Sequence, residues 1–202
     1  MRTRMIVVDD FYDNADAVRE SALDSSFISM GKYNYPGWQA DKALSSEALW
    51  DRLELLIGAP LEREVSGAFG AFRLISEETG SKTKVHADSA SDWAALVYLT
   101  PDAPPSCGTG FYRHRPSGFF GPPTDEQAHA FGSADAEEFD SEVCRPDMAD
   151  KAKWDLVGQV GPVYNRFVAF RGRELFHAPM GGCGVEPNEC RLTQIFFFDE
   201  KR

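Results

Sequence analysis

Apolar and polar residues change period several times along this chain, and the changes mark its elements. Met5 to Val8 is a short apolar run ending in Asp9-Asp10-Phe11, and it predicts a first strand. Asp13 stands where an N-cap would, and Tyr12, Ala15, Val18, Ala22 and Leu23 recur at helical spacing, predicting an amphipathic helix over residues 14–24. The aromatic stretch YNYPGW at 33–38 is broken by Pro36-Gly37, which marks a turn or a sheet edge. Ser46 opens a second helix with Leu49, Leu53, Leu56 and Ile57 as its stripe, and Gly58 with Pro60 stops it. Residues 63–75, REVSGAFGAFRLI, alternate imperfectly and read as a strand with a glycine bend or bulge.

A turn at Gly80-Ser81 leads into KVHADSASDWAALVYLT, residues 84–100. Its polar opening carries His86-Ala-Asp88, and Trp93 to Leu99 reads as a buried strand. PDAPPSC at 101–107 is a loop, and GTGFYRH at 108–114 is the glycine-rich start of another strand. Residues 115–161 are rich in proline, glycine and acids and weakly periodic, with room for a helix over 124–138. A connection this long in a compact domain is usually functional or disordered, so it reads as an insertion over an active-site mouth. YNRFVAF at 164–170 is strand-like, Arg171-Gly172-Arg173 turns it, and a strand closing at His177 follows. A glycine-rich loop with Gly181, Gly182 and Gly184 then precedes RLTQIFFF at 191–198, a strong final strand. Two N-terminal helices followed by many short strands suggest an antiparallel β-sandwich or barrel with helices packed on one side.

The 202 residues suit one domain, 1–202, with a strand and helices over 1–62 and a β core over 63–198 interrupted by the insertion at 115–161. Fifteen Phe and four Trp favour a β-rich interior. A net charge of -11 repels phosphate backbones and argues against nucleic-acid binding. The opening MRTRMIVVDDFYD lacks the long apolar core of a secretory signal, and no run of about 18 apolar residues exists to span a membrane. Cys107, Cys144, Cys183 and Cys190 show no CxxC spacing, so free thiols in a reducing cytoplasm are expected, with a small loop closed by Cys183 and Cys190 as the open alternative.

The chemistry turns on His86 and Asp88. Positions i and i+2 of an extended chain point to one side, so an imidazole and a carboxylate can converge on one metal ion. Of the other histidines, His129 lies in the acidic insertion and reads as solvated, whereas His177 follows a strand. Two histidines and one carboxylate on one face of a metal leave the opposite face open, which suits non-haem Fe(II) and oxygen chemistry. Arg191 and Thr193 share one side of a final strand whose Ile195, Phe196, Phe197 and Phe198 indicate burial. A buried arginine needs an anionic partner, and an arginine fork beside a hydroxyl suits a carboxylate. Arg113, His114 and Arg115 lie beside the expected mouth as candidate contacts for an anionic substrate, or as a solvated cationic strand end paired with the chain's many acids. Trp93 and Tyr98 read as core, and Asn165-Arg166 as a brace or a turn cap.

Taken together, the order VHADSASDWAALVYLT, GTGFYRHR, NRFVAFRGRELFHAPMGG and RLTQIFFF resembles the Fe(II)/2-oxoglutarate-dependent dioxygenases, in particular the prolyl-4-hydroxylase-like branch. The opening IVVDDFYDNADAVRESAL resembles small bacterial members. The likeness spans residues 67–198 without the insertion. It implies a double-stranded β-helix, or jelly-roll, core with flanking helices. It also implies Fe(II) held by His86, Asp88 and His177, and 2-oxoglutarate held through Arg191 with Thr193. Prolyl-4-hydroxylases usually carry Lys where this chain has Arg191, which leaves the substrate open among small molecules, amino acids and peptide side chains. A cupin-like metalloenzyme that does not use 2-oxoglutarate and a non-catalytic jelly-roll binding module are the competing expectations.

Overall fold

A computed structural model describes residues 3–31, 36–64 and 68–201. Its large antiparallel sheet runs in the order β1-β8-β5-β10-β4-β3-β2. These strands are β1 (Met5–Val8), β2 (Phe27–Ser29), β3 (Trp38–Ala43), β4 (Ala71–Ile75), β5 (Trp93–Tyr98), β8 (Phe167–Phe170) and β10 (Arg191–Phe198). A smaller antiparallel sheet, β7-β6-β9, comprises β6 (Thr109–His114), β7 (Trp154–Val160) and β9 (His177–Pro179), and an isolated bridge between His86 and His177 extends it. The two sheets face each other as a double-stranded β-helix. Among the described residues no helix is long and apolar enough to cross a membrane.

The outer face of the large sheet is covered by α1 (Ala15–Leu23) and α2 (Glu47–Ile57). Leu49, Trp50 and Leu53 of α2 pack in one cluster with Leu192, Phe196 and Phe198 of β10 and Trp93 of β5. Burying one such large side chain stabilises by about 1.5–3 kcal/mol, so this face carries much of the fold's stability. The inner face of β10 presents the alternate residues Arg191, Thr193, Ile195 and Phe197. Burial on both faces explains why RLTQIFFF lacks polar alternation.

The helices begin and end where their caps dictate. Ser46 caps α2 by accepting from the Leu49 N–H (3.2 Å), and Gly58 ends it in the left-handed region at φ +78°. Asn14, not Asp13, caps α1, accepting from Ala17 N–H (3.1 Å). The two residue types cap equally well, so spacing alone did not separate them.

Other elements depart from the sequence expectation. β2 and β3 were not foreseen: WQADKA has no apolar alternation and becomes a strand by pairing with β4. Among the described residues of 63–75, only 71–75 form a strand; 65–67 lie outside the described residues, as do residues 33–35 of YNYPGW. Gly70 bends the chain at φ +76°, where a Cβ would lie 2.2 Å from Leu44 O, while the bulge sits across the sheet between Gln39 and Ala43. Ser76 and Thr79 close a capping box on the unforeseen helix α3 (Glu77–Gly80). His177 begins a strand rather than closing one. The four cysteines are free thiols, and Cys183 and Cys190 do not close a loop.

Residues 115–161 differ most. Their last part is β7, a strand whose middle, residues 156–159, is exposed and which pairs with β6 along its length. The helix expected over 124–138 is two helices, α4 (Asp125–Ala130) and α5 (Ala136–Phe139), followed by a π turn at 140–144. Ala128, Phe139 and Cys144 pack with Tyr112, Trp154 and Phe176 behind the smaller sheet. Part of the segment therefore buttresses the smaller sheet. It reaches the mouth through Met148, whose carbonyl accepts from the Val85 N–H (2.9 Å) beside His86.

Candidate metal centre

His86 and His177 reach each other across the gap between distant segments. His86 N–H donates to His177 O (3.0 Å) and His177 N–H to His86 O (2.8 Å), and the ring centres lie 4.6 Å apart. Each imidazole turns its Nδ1 to a backbone carbonyl two residues back, His86 to Lys84 O (3.1 Å) and His177 to Leu175 O (2.9 Å). An Nδ1–H that donates to a carbonyl leaves Nε2 with its lone pair, the tautomer of a metal ligand. Both Nε2 atoms face Asp88, at 3.7 Å from Oδ1 for His86 and 3.6 Å from Oδ2 for His177. These separations are too long for hydrogen bonds and suit atoms that share a cation. The three ligand atoms all lie within 4.8 Å of one another.

Asp88 supplies the sharpest test of fit. Its Oδ2 is buried without a hydrogen-bond partner. A buried carboxylate oxygen with no donor is costly, and a cation at the cluster would remove the cost. The carboxylate is held against β8's exit, with Asp88 N–H donating to Gly172 O (3.0 Å). A Cβ on Gly172 would lie 2.0 Å from Oδ2, so only glycine admits the carboxylate there. Burial pushes the His177 imidazole down to about 4, against the pull of the Asp88 charge and with a smaller push from His86. His177 is therefore neutral near pH 7, the form that ligates metals. The donor set fits one divalent metal ion with an open side.

The open side is a cavity between the sheets, walled by Leu96, Phe170, Ile195 and Phe197. Arg191 and Thr193 of β10 and Thr109 of β6 line it too. Arg191 is 2% exposed; its Nε donates to Cys107 O (2.6 Å) and its guanidinium carbon lies 5.3 Å from the Tyr98 ring centre. The Tyr98 hydroxyl is hydrogen-bonded to Thr109 Oγ1 (2.7 Å) and so stiffens this end. The structure thus brings together His86, Asp88, His177, Arg191 and Thr193.

It does not bring Arg113, His114 and Arg115 to the cavity. None of the three lines it: Arg113 and Arg115 sit exposed at and just beyond the end of β6, and His114 turns to the opposite face from Arg113, buried beside Trp154. Arg113 (2.6 Å) and Arg115 (2.6 Å) both grip Asp155 of β7, and their hydrogen bonds hold its carboxyl below the usual range. His114 is fully buried, with Nδ1 on Ser117 Oγ (2.9 Å) and Nε2 on Asp147 Oδ2 (3.0 Å). The protein's own acids and hydroxyl take up this trio, which is the reading of a cationic strand end paired with acids rather than of a substrate contact. His129 is exposed and bonds Ala134 O. Asn165, at φ +61°, braces Tyr12 through both of its side-chain atoms (2.8 and 2.9 Å).

Two contributors escaped the sequence. Gly172 looked like an ordinary turn residue, and no local signal sets it apart. Arg73 left a trace, as the lone charge in the apolar strand AFRLI.

The two sheets form a jelly roll, and its cluster of two histidines and one aspartate is a candidate metal site. Among solved structures, the chain is similar to a prolyl-4-hydroxylase from Pseudomonas putida at a TM-score of 0.50 and 15% identity, covering 99% of this chain and 95% of that one. It is similar at a TM-score of 0.50 and 14% identity to HygX from Streptomyces hygroscopicus with nickel and 2-oxoglutarate bound, covering 99% and 86%. At these identities the likeness carries the fold alone. The model of a family of unknown function (DUF6445) matches residues 1–198, and the chain belongs to that family. No curated protein sequence matches the chain.

Proposed function

We propose that this chain is a non-haem Fe(II)/2-oxoglutarate-dependent oxygenase that hydroxylates a small molecule or an amino-acid or peptide side chain. The observation that carries the reading is the buried, donorless Oδ2 of Asp88 facing two imidazoles whose Nδ1 atoms are already committed. His86, Asp88 and His177 would hold Fe(II), and Arg191 with Thr193 would pair with the distal carboxylate of 2-oxoglutarate. When bound, Fe(II) and 2-oxoglutarate supply O2-driven oxidation coupled to decarboxylation of the cosubstrate to succinate. The chain's part is to hold and shield. Lys84 O and Leu175 O orient the imidazoles, Gly172 makes room for the carboxylate, and Cys107 O aims the arginine fork. Phe170, Ile195 and Phe197 keep bulk water from the reacting side. HygX, of the same fold, carries nickel and 2-oxoglutarate, which supports both ligands here.

The test is succinate formation from 2-oxoglutarate by the purified chain, with Fe(II) and O2 supplied or withheld. The expected result is turnover that needs both and vanishes in His177→Ala, with 2-oxoglutarate affinity lowered in Arg191→Gln. Absence of metal binding and of cosubstrate turnover would overturn the reading. Intact metal binding without 2-oxoglutarate affinity would point to a cupin-like metalloenzyme instead.

A further inference from the structure

Two arginines line the cavity, and the cosubstrate accounts for one. On the large sheet Gln39 of β3 is paired with Arg73 of β4, Arg73 with Thr193 of β10, and Thr193 with Tyr98 of β5. Residues directly opposite on neighbouring strands share a face, so these four form one polar row across the inner side. Arg191, two residues before Thr193, stands on a diagonal to Arg73, about 7–8 Å away for positions so related. Both arginines are steered through Nε, Arg191 by Cys107 O (2.6 Å) and Arg73 by Gln39 Oε1 (3.3 Å). They differ in depth: Arg191 is closed in behind Thr193, whereas Arg73 is half-buried and runs beside Phe197, its guanidinium carbon 5.9 Å from the ring centre. There it lines a second cavity that shares His86, Asp88, Pro179 and Phe197 with the first and opens past Lys84 and Met148.

Charge sharpens the picture. The chain carries 32 acids against 21 Lys and Arg, yet among the described residues the fixed charges lining the two joined cavities are Arg73, Lys84, Arg191 and the single acid Asp88. With Asp88 given to the metal, the mouth is cationic in an acidic protein. The single distal carboxylate of a cosubstrate satisfies one arginine fork. We propose that Arg73, with Lys84 at the mouth, recognises an oxyanionic group such as a carboxylate on the primary substrate. The substrate is then an acid that presents its C–H bond to the metal while its anion is held on β4. The assignment of that anion to a substrate rests on the oxygenase reading; the anion site itself does not.

Sulfate serves as the oxyanion probe. Calorimetric titration of the full chain, loaded with Ni(II) and saturating 2-oxoglutarate at low ionic strength, is expected to show one sulfate site. Arg73→Gln weakens it by about 10-fold or more, the loss of a charge-assisted contact. Its 2-oxoglutarate affinity stays within about two-fold, because separate sites add independently. Arg191→Gln shows the opposite pattern. Arg73→Met, which keeps a stem against Phe197, replaces Arg73→Gln if that variant does not fold. No sulfate site in the loaded parent chain, or equal binding by parent and variant, would overturn the proposal. So would loss of 2-oxoglutarate affinity in Arg73→Gln, which would place Arg73 in the cosubstrate site. If the parent binds no 2-oxoglutarate the oxygenase reading fails, and sulfate binding by parent and Arg73→Gln with Ni(II) alone still decides the anion site.

Discussion

Each side of the smaller sheet buries a histidine, and the two are used in opposite ways. His114, on the far side, has both ring nitrogens occupied, one by Ser117 and one by Asp147. His177, facing the cavity, has Nδ1 on a backbone carbonyl and Nε2 aimed at a carboxylate beyond hydrogen-bond range. The arginines divide in the same manner. Arg113 and Arg115 close on Asp155, while Arg191 is anchored through Nε by Cys107 O and turns its fork to the cavity. Burial and charge are shared by both sides; what separates them is whether the protein has supplied every partner. A completed network stabilises the fold, and an incomplete one of the right donor type is where a ligand belongs.

The strongest way to break this contrast is to damage each side and ask which property fails. Phe139 is fully buried behind the smaller sheet against Phe119 and Phe131. Phe139→Ala should cost about 3–5 kcal/mol of unfolding free energy in urea while the folded protein keeps its metal affinity. A large loss of metal affinity at unchanged stability would show that the buttress belongs to the site. Asp88→Ala should do the reverse. Its metal affinity should fall by more than the roughly 10–100-fold that losing an outer partner costs, read by calorimetry with Ni(II), with the thermal midpoint of the metal-free chain unchanged or raised. A rise would be the signature of removing the donorless Oδ2.

How far the sequence revealed this division depends on the range of each interaction. β10 was legible to its ends because eight residues buried on both faces leave a continuous signal. His86 and Asp88 were legible because their geometry is local, two positions along one extended segment. His177, Arg191 and Thr193 were reachable because the chain has few histidines and because an arginine inside an aromatic strand is conspicuous. β3 and β7 were not legible: WQADKA and WDLVGQV are strands only by virtue of β4 and β6, which lie elsewhere in the sequence. The cationic run at the end of β6 stayed open between two readings for a related reason. Arg113 and Arg115 look alike in sequence whether their anion is a substrate or Asp155, and only the pairing of β6 with β7 decides it. Gly172 was silent because its importance is a steric relation to a residue on another segment.

That steric relation yields a finer test. Gly172→Ala would place a methyl group 2.0 Å from Asp88 Oδ2 and 3.2 Å from Ala94 Cβ, so the carboxylate must move. The expected outcome is about a 10–100-fold loss of metal affinity, the size of an outer-shell defect, with the fold retained. Unchanged affinity would mean that Asp88 ligates from another position than the one its hydrogen bond to Gly172 O fixes.

The smallest expected effect is the most discriminating. Arg115→Gln removes one of the two grips on Asp155, an exposed pair of the kind worth about 0–1 kcal/mol. Arg113 keeps the other, bonding Asp155 through both Nε and Nη2, so little should change in stability. Nothing should change in metal or 2-oxoglutarate binding, because Arg115 lies just past the end of β6 and does not line the cavity. A clear loss of turnover with an intact fold would show that a substrate reaches the end of β6, and that this end is more than structural. Equal turnover would confine recognition to the inner face, where Arg73 and Arg191 lie on one diagonal and the anions they take must share the cavity with the metal.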